Sequence, residues 1–308
     1  MASHNQYELT PTYGKQSVPV FKIRKEGANH SIIDMVVKIM LEGTISRSWL
    51  EGENSEIVPT ETQKNTCYAL AMKTKFDSIE DYGLALGRDM LERHAHINCV
   101  NLHITERIWE RATVGGRAHS HVFVSSPSPI RRLCRLKVPR GAAAQVTSGV
   151  CDIKVMKTTQ SGFMGYIKDQ YTTLKPVGAG GSAPDRIMCT EMVAEWSYTE
   201  GRAPEGRFVA VNQKVFDILI STLAGPADHG VFSKSLQETA YKMAVAALDT
   251  VPELSKVYLA TPNVHFYPYN LEPFGMSNPN VVFQSTDCQS TASGRIVTTV
   301  SRKERSRL

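Results

Sequence analysis

The chain has 308 residues, of which 42% are hydrophobic and 21% are charged, and its formal net charge is +5. That is enough apolar material for a packed core and, at roughly 100–200 residues per domain, it predicts two domains. The charge excess is mild and not clustered, so it does not indicate a nucleic-acid-binding protein, and no run approaches the roughly 18 apolar residues of a membrane span.

The N-terminus and the cysteines argue against a secreted protein and against a zinc-cluster protein. The opening residues, MASHNQYELT, contain no apolar stretch and therefore do not form a secretory signal. The cysteines lie far apart and never form CxxC, which argues against a zinc cluster and favours free thiols in a reducing compartment. They are Cys67, Cys99, Cys134, Cys151, Cys189 and Cys288.

The first half of the chain predicts strands, then helices, then strands. Residues 17–25 and 31–42 are rich in Val and Ile and predict a hairpin. A helix is expected from Thr60, with Gln63 three residues later as a capping box, and a second one from Ser78. Residues 100–105 alternate as a half-buried strand, and two more strands are expected around 107–114 and 119–125. This order indicates an α+β fold, with an antiparallel sheet and helices on one face.

The second half shows a similar order. We place the domain boundary near residue 143, which divides the chain into residues 1–143 and 144–308. Strands are expected around 150–158 and over 186–199, and a helix over 215–223 that Gly225-Pro226 ends. Ser235 and Glu238 form a second capping box, which opens a helix through about Leu248. The segments SKVYLATPNVHFY and GRIVTTVSR predict the closing strands.

A short internal similarity indicates a tandem duplication. QKNTCYALA in the first half aligns with LQETAYKMA in the second, which pairs Thr66 with Thr239 and Tyr68 with Tyr241. Both segments lie at predicted capped helix starts. We therefore expect the two helices to be structural equivalents.

Several residues are candidates for chemistry. His94 and His96, like His119 and His121, are two residues apart, which on a strand suits either a metal or a structural role. Asn263 and His265 share a strand face, where an amide and an imidazole could recognise or deprotonate a polar heterocycle, or could simply be hydrogen-bonded. The helix starts at Thr60 and Gln237 have free N–H groups that suit an anion.

The C-terminus carries a candidate address. Ser306, Arg307 and Leu308 resemble the peroxisomal Ser-Lys-Leu signal, with Arg keeping the positive charge of Lys. The preceding residues are basic and polar, so we expect an exposed tail and a peroxisomal location, with an import receptor as partner.

Six motifs together carry a resemblance to a known family. They are YGK at 13–15, PTETQKNT at 59–66, KTTQSGFMGYIKDQYTTL at 157–174, DR at 185–186, SLQETAYKMA at 235–244 and PNVHFYPYNL at 262–271. With these motifs the chain resembles the urate oxidase (uricase) family from about Tyr13 to the C-terminus. The resemblance implies two tandem tunnelling-fold (T-fold) domains, whose sheets close into a barrel across subunits of a homotetramer. It also implies oxidation of urate by dioxygen to 5-hydroxyisourate and hydrogen peroxide without a metal or another cofactor.

The resemblance also implies which residues form the site, which would lie between subunits. Lys15 and Thr60 would come from one chain, and together with His265 of its neighbour they would form a proton relay beside a bound water. The backbone N–H of Glu61 would add a donor to urate. The other urate-binding residues from the neighbour would be Phe163, Arg186, Leu236, Gln237 and Asn263. Phe163 would stack on urate, Arg186 and Gln237 would hold its opposite edges, and Asn263 would hold dioxygen or water above its plane.

The sequence departs from the family pattern at two places, and it leaves two alternative functions open. Glu61 stands where the family usually has Asp, and the Gly-rich stretch before Arg186, VGAGGSAPD, looks longer than usual. The first alternative is another T-fold enzyme acting on a purine or pterin, such as a zinc cyclohydrolase, against which the scattered cysteines argue. The second is a purine-binding homologue that has lost catalysis, which the joint presence of Lys15, Thr60 and His265 disfavours.

Overall fold

The computed structural model describes residues 7–126, 129–174 and 185–303 and shows an α+β protein. The chain divides into two compact units, Met1–Gly149 with Ser197–Ala210, and Val150–Trp196 with Val211–Leu308. The assignment of tandem domains to residues 1–143 and 144–308 stays a prediction. No helix in the described part of the chain is long and apolar enough to cross a membrane.

The first unit contains the strand–helix–strand order expected from the sequence. It contains β1 (Tyr13–Glu26), β2 (Asn29–Gly43), α1 (Arg47–Leu50), α2 (Thr60–Lys73), α3 (Ile79–Arg93), β3 (Ile97–Arg107), β4 (Trp109–Val114), β5 (Arg117–Ser125), β6 (Arg131–Pro139) and the start of β7 (Gln145–Lys157). Its main sheet has the order β1-β2-β3-β6-β7, while β4 and β5 form a separate hairpin. The hairpin β1–β2 and the strands β4 and β5 confirm the predictions.

The second unit repeats this order with fewer strands. It contains the rest of β7, most of β8 (Met188–Tyr198), most of α4 (Phe208–Ala224), α5 (Leu236–Thr250), β9 (Leu254–Pro262), β10 (Phe266–Pro268), a short 3-10 helix (Glu272–Phe274), β11 (Phe283–Ser285) and β12 (Arg295–Ser301). Its sheet has the order β7-β8-β9-β12. Helix α4 begins seven residues before the predicted start at Val215 and ends just before Gly225, as expected.

The core of each unit lies between the sheet and the helices. Alternate residues of β2 are buried, among them Met35, Val37 and Ile39, because successive side chains of a strand point to opposite faces. Helices α2 and α3 pack on strands of the first unit's sheet, and α5 packs on β9 and β12. Each sheet is therefore covered by helices, in agreement with the prediction.

The helix caps confirm two predictions and correct one. Ser78 and Ser235 are side-chain N-caps, and their hydroxyls accept from the backbone N–H of Asp81 and Glu238 at 3.0 and 3.1 Å. Thr60 is not an N-cap, since it is already the first helical residue of α2 and the cap position is Pro59. Gln63 instead turns its side-chain amide back to the carbonyl of Val58, at 3.1 Å. The predicted capping box at Thr60 and Gln63 is therefore wrong.

The structure also corrects the internal repeat. The last helix of each unit, α3 in the first and α5 in the second, has a Ser N-cap and is followed at once by a strand of the main sheet. The sequence alignment instead paired α2 with α5. It matched Thr66 and Thr239, which both donate to the carbonyl four residues earlier, a local contact that any helix allows. The helices correspond by order and capping, so α2 corresponds to α4.

In each unit, an arginine after a strand of the main sheet binds the carbonyls at the end of the last helix. Arg140 follows β6, and its guanidinium donates to the carbonyls of Leu91, His94 and Ile97 around the end of α3. Arg302 follows β12 and donates to the carbonyls of Leu248, Val251 and Leu254 around the end of α5. Because the last carbonyls of a helix have no intrahelical partner, a cation there satisfies them and the helix dipole together. We call these residues the arginine clamps.

Candidate active site

A pocket of 220 Å³ in the second unit collects six of the predicted site residues. These are Phe163, Arg186, Leu236, Gln237, Asn263 and His265. They come from four separate stretches of chain, which the fold brings to one place. The pocket is smaller than the roughly 300–1,000 Å³ of a complete small-molecule site, and it is partly open to solvent.

Phe163 and Arg186 are placed by two segments that bond side by side. The backbone N–H of Arg186 donates to the carbonyl of Ser161 at 3.0 Å, and the hydroxyl of Ser161 donates to the carbonyl of Arg186. The carboxylate of Asp185 accepts from the hydroxyl of Thr159 and from the backbone N–H of Gln160. These bonds hold the Arg186 guanidinium 6.0 Å from the centre of the Phe163 ring. An aromatic face and a cation thus border the same space.

The start of α5 forms another wall of the pocket. Ser235 caps this helix, so the chain turns sharply and Leu236 and Gln237 become its first two residues. The first N–H groups of a helix lack intrahelical acceptors and carry a partial positive charge. Leu236 is buried and Gln237 is exposed, so the amide of Gln237 is available to a ligand.

Asn263 and His265 are held by the loop that precedes β12. The N–H of Asn263 donates to the carbonyl of Gly294 at 2.7 Å, and a Cβ on Gly294 would lie 3.1 Å from the Asn263 side-chain nitrogen. Thr286 holds His265 on both sides, because it accepts from the His265 N–H at 2.8 Å and its own N–H donates to the His265 carbonyl at 2.8 Å. These hydrogen bonds therefore fix the backbone at both Asn263 and His265, from which the two side chains extend.

The electrostatics of the pocket favour a neutral histidine. Burial and, secondarily, the positive charge of Arg186 lower the pKa of His265 below its usual 6.5. Both causes act against the charged imidazolium. At neutral pH the imidazole can therefore accept a proton, while Arg186 keeps the pocket attractive to an anion.

The other two catalytic candidates, Lys15 and Thr60, belong to the first unit. Tyr13, two residues before Lys15, accepts a 2.7 Å hydrogen bond from the N–H of Val58, two residues before Thr60. Gly14 packs so tightly on β2 that a Cβ there would lie 1.8 Å from the Ile39 carbonyl oxygen. The structure thus ties the strand that carries Lys15 to the helix start that carries Thr60, although their roles stay predictions.

Glu61, the departure from the family pattern, points away along the helix surface. Its carboxylate is 3.9 Å from the Lys64 ammonium, and its side chain is 77% exposed. An exposed pair at this distance contributes little free energy. The second departure, the Gly-rich stretch before Arg186, falls almost entirely on residues 175–184, outside the described residues.

Neither histidine pair joins a group of three metal ligands in the part of the chain that the structure describes. The rings of His119 and His121 lie 4.6 Å apart, and those of His94 and His96 lie 6.1 Å apart. The one group found there is Glu191, Asp287 and Cys288. Its Glu191 carboxylate already accepts from the Cys288 thiol at 2.9 Å and pairs with Lys154 at 3.2 Å.

Some residues that line or support the pocket were not predicted from the sequence. Leu174, Met188 and Ile296 line it, and Tyr166 stacks on Phe163 with the ring centres 5.0 Å apart. Leu174 and Tyr166 lie inside the motif KTTQSGFMGYIKDQYTTL, so the aromatic residue three places after Phe163 was a usable signal. Ile296 carried no such signal, because only the pairing of β12 with β9 brings it to the site.

Comparisons with known proteins agree with one another. The Uricase family model matches residues 11–133 and 146–293. The uricase of Danio rerio is 36% identical over 99% of both chains, and that of Oryctolagus cuniculus is 33% identical over 96% of this chain and 95% of its own. The crystal structure of uricase from Arthrobacter globiformis has a TM-score of 0.85 at 30% identity and covers 97% of this chain and 96% of its own. The chain belongs to the uricase family.

Proposed function

We propose that this protein oxidises urate with dioxygen and water to 5-hydroxyisourate and hydrogen peroxide, in purine degradation. Urate gives up two electrons and two protons to dioxygen, which becomes peroxide, and a water supplies the new hydroxyl. The observation that carries the proposal is the pocket in which Phe163, Arg186, Gln237 and His265 border one space, within a chain of the uricase family.

The pocket suits urate, which is flat, anionic and edged with amide groups. Phe163 would stack on its face, and Arg186 would hold one edge through two parallel N–H donors. The Gln237 amide would pair with the opposite edge, since it can both donate and accept. Asn263 would hold dioxygen or water above the ring. Because urate itself supplies the electrons, the proposed reaction uses no metal or flavin.

We also propose that the site is completed by a neighbouring subunit of a homotetramer whose sheets close into barrels. Lys15, Thr60 and the backbone N–H of Glu61 would come from that neighbour and meet His265 around the reacting water. The small volume of the pocket and its partial opening to solvent support this proposal. A relay of this kind moves protons between groups of matched pKa and needs them within hydrogen-bond reach.

A peroxisomal location through Ser306, Arg307 and Leu308 remains a proposal. These residues lie outside the described part of the chain. The proposed location is supported by the resemblance of the last three residues to a peroxisomal targeting signal. A fluorescent fusion that keeps the C-terminus free, compared with one lacking these three residues, would test the proposal and the involvement of an import receptor.

One assay tests the reaction and separates its rivals. Purified protein is mixed with urate in air, and loss of urate absorbance is followed together with peroxide, with and without a chelator. We expect one peroxide per urate and no effect of the chelator. Loss of activity in chelator would favour a zinc enzyme of the same fold, and binding without turnover would favour an inactive purine-binding homologue. Gel filtration of the same sample tests the tetramer.

A further inference from the structure

Tyr166 forms a second aromatic layer behind the proposed urate-stacking ring. The rings of Phe163 and Tyr166 are nearly parallel, with 7° between their planes and 5.0 Å between their centres. This is the offset-stacked geometry that aromatic pairs prefer. Phe163 lines the pocket whereas Tyr166 does not, so Tyr166 lies against the ring away from the pocket.

The backbone turn between the two rings makes this stack possible. Gly165 has a φ of 73°, a left-handed conformation that other residues rarely adopt, while no atom would obstruct a Cβ there. The glycine is therefore required by the turn rather than by lack of space. The turn allows residue 166 to fold back on residue 163.

The Tyr166 hydroxyl connects this layer to a second pocket wall. It donates to the carbonyl of Leu174 at 2.5 Å, and Leu174 lines the pocket. The Lys168 ammonium also lies over the Tyr166 ring, 5.9 Å from the ring centre. Tyr166 therefore supports one pocket residue with its ring and another with its hydroxyl.

We infer that Tyr166 is a positioning residue for urate binding, which fixes the ring plane of Phe163 and so prepares the stacking surface before urate arrives. The inference rests on the proposed function. A ring supported on one face loses less freedom when a ligand covers the other, so the support increases affinity without a direct contact. A support that acts equally on bound urate and on the transition state changes binding more than the chemical step, so we expect the loss of the stack to affect KM and Kd more than kcat.

The test compares Tyr166→Leu and Tyr166→Phe with Tyr171→Leu in the full-length protein. Tyr171 is the matched control, since it lies in the same segment and is 83% exposed. Steady-state kinetics give KM and kcat, and titration with urate under anaerobic conditions gives Kd without turnover. From the usual strength of an aromatic pair, Tyr166→Leu should raise KM and Kd about three- to tenfold and change kcat by less than about twofold. Tyr166→Phe keeps the stack and should recover most of the loss, whereas Tyr171→Leu should behave as wild type.

A double-mutant cycle with Phe163→Leu separates positioning from general stability. If Tyr166 acts through the Phe163 ring, Tyr166→Leu should have little further effect on Kd once that ring is absent. An equal loss of affinity in both backgrounds would overturn the inference, and so would an unchanged Kd in the Tyr166→Leu single variant. A wild-type protein that neither binds nor oxidises urate would instead overturn the proposed function.

Discussion

The two compact units share an order of structural elements, which we call the frame, but their side chains differ at the position where the second unit forms its pocket. Capping serine, helix, strand, partner strand and arginine clamp follow in the same order in both. The hydrogen bonds from the Arg140 N–H to the Asn98 carbonyl and from the Arg302 N–H to the Ser255 carbonyl are both 2.8 Å long. In this frame, Glu80 occupies the position of Gln237, and Glu106 that of Asn263.

The first unit closes this place with its own side chains. Glu80 is 2% exposed and accepts from the Ser148 hydroxyl at 2.6 Å, while Ser148 accepts from the hydroxyl of Tyr198. Glu106 is buried as well and pairs with Arg132 at 3.2 Å. The polar groups at these positions thus have partners within the first unit, whereas in the second they line a pocket. The frame supplies the location, and the side chains decide whether it can bind a ligand.

The largest effect is expected at Lys15 and Thr60, the two first-unit residues to which the proposed function gives catalytic roles. Lys15→Met and Thr60→Ala should each lower kcat by about a hundredfold or more, because proton transfer by a positioned group contributes about 10²–10⁴-fold. Urate Kd under anaerobic conditions should change only a few-fold. A variant that abolished binding but turned over normally in saturating urate would assign its residue to binding instead.

The two arginine clamps, Arg140 and Arg302, allow the same substitution to be compared in both units for its effect on the free energy of unfolding. Arg140→Met and Arg302→Met keep an unbranched, largely apolar stem but remove the guanidinium donors from the helix-end carbonyls. Each should lower the free energy of unfolding by about 1–2 kcal/mol, with a lower Tm in calorimetry. If only one variant lost stability, the two clamps would not be equivalent in energy.

The pocket histidine should respond to the charge beside it. Since burial and Arg186 lower the pKa of His265, its neutral form should persist below pH 6.5, and kcat/KM should fall only under that pH. Arg186→Gln removes a positive charge and should raise this pKa, whereas Arg186→Lys should not. Titration of the His265 ring by NMR measures the shift, and an equal pKa in both variants would contradict the assigned cause.

In the first unit, Glu106 occupies the position that corresponds to Asn263, and its pKa is shifted upward, whereas the pKa of His265 is shifted downward. Burial raises the pKa of Glu106 above its usual 4.5 despite Arg132. The folded state then binds more protons than the unfolded state, so this residue reduces stability as pH rises above about 4.5. Glu106→Gln should therefore gain Tm relative to wild type between pH 4.5 and 7. A difference in Tm that stayed constant over this range would exclude the linkage.

The smallest effect is expected at Glu61. Because its carboxylate is exposed and points toward Lys64, Glu61→Asp should change urate affinity less than tenfold, at most about 1.4 kcal/mol. Urate Kd under anaerobic conditions measures it. A larger change would show that the length of this side chain controls the backbone at Thr60.

Local patterns in the sequence sufficed for much of the fold. Alternation in residues 100–105 and the Ser caps at residues 78 and 235 predicted β3, α3 and α5, because these signals depend on neighbours only a few residues away. The same reasoning failed at Thr60, where the spacing to Gln63 satisfied the pattern. There Pro59 occupies the cap position, and the Gln63 side chain bonds to Val58 instead.

The sequence alone was sufficient to recognise the uricase motifs and to name the predicted site residues. Only the tertiary structure brought Phe163, Arg186, Gln237 and His265 to one pocket, placed Tyr166 behind Phe163 and showed that α5 corresponds to α3. The physical reason is that contacts between distant segments depend on strand pairing and helix packing, which local periodicity does not encode. Two similar helices can be aligned letter by letter, but only their caps, partner strands and clamps show which positions are equivalent.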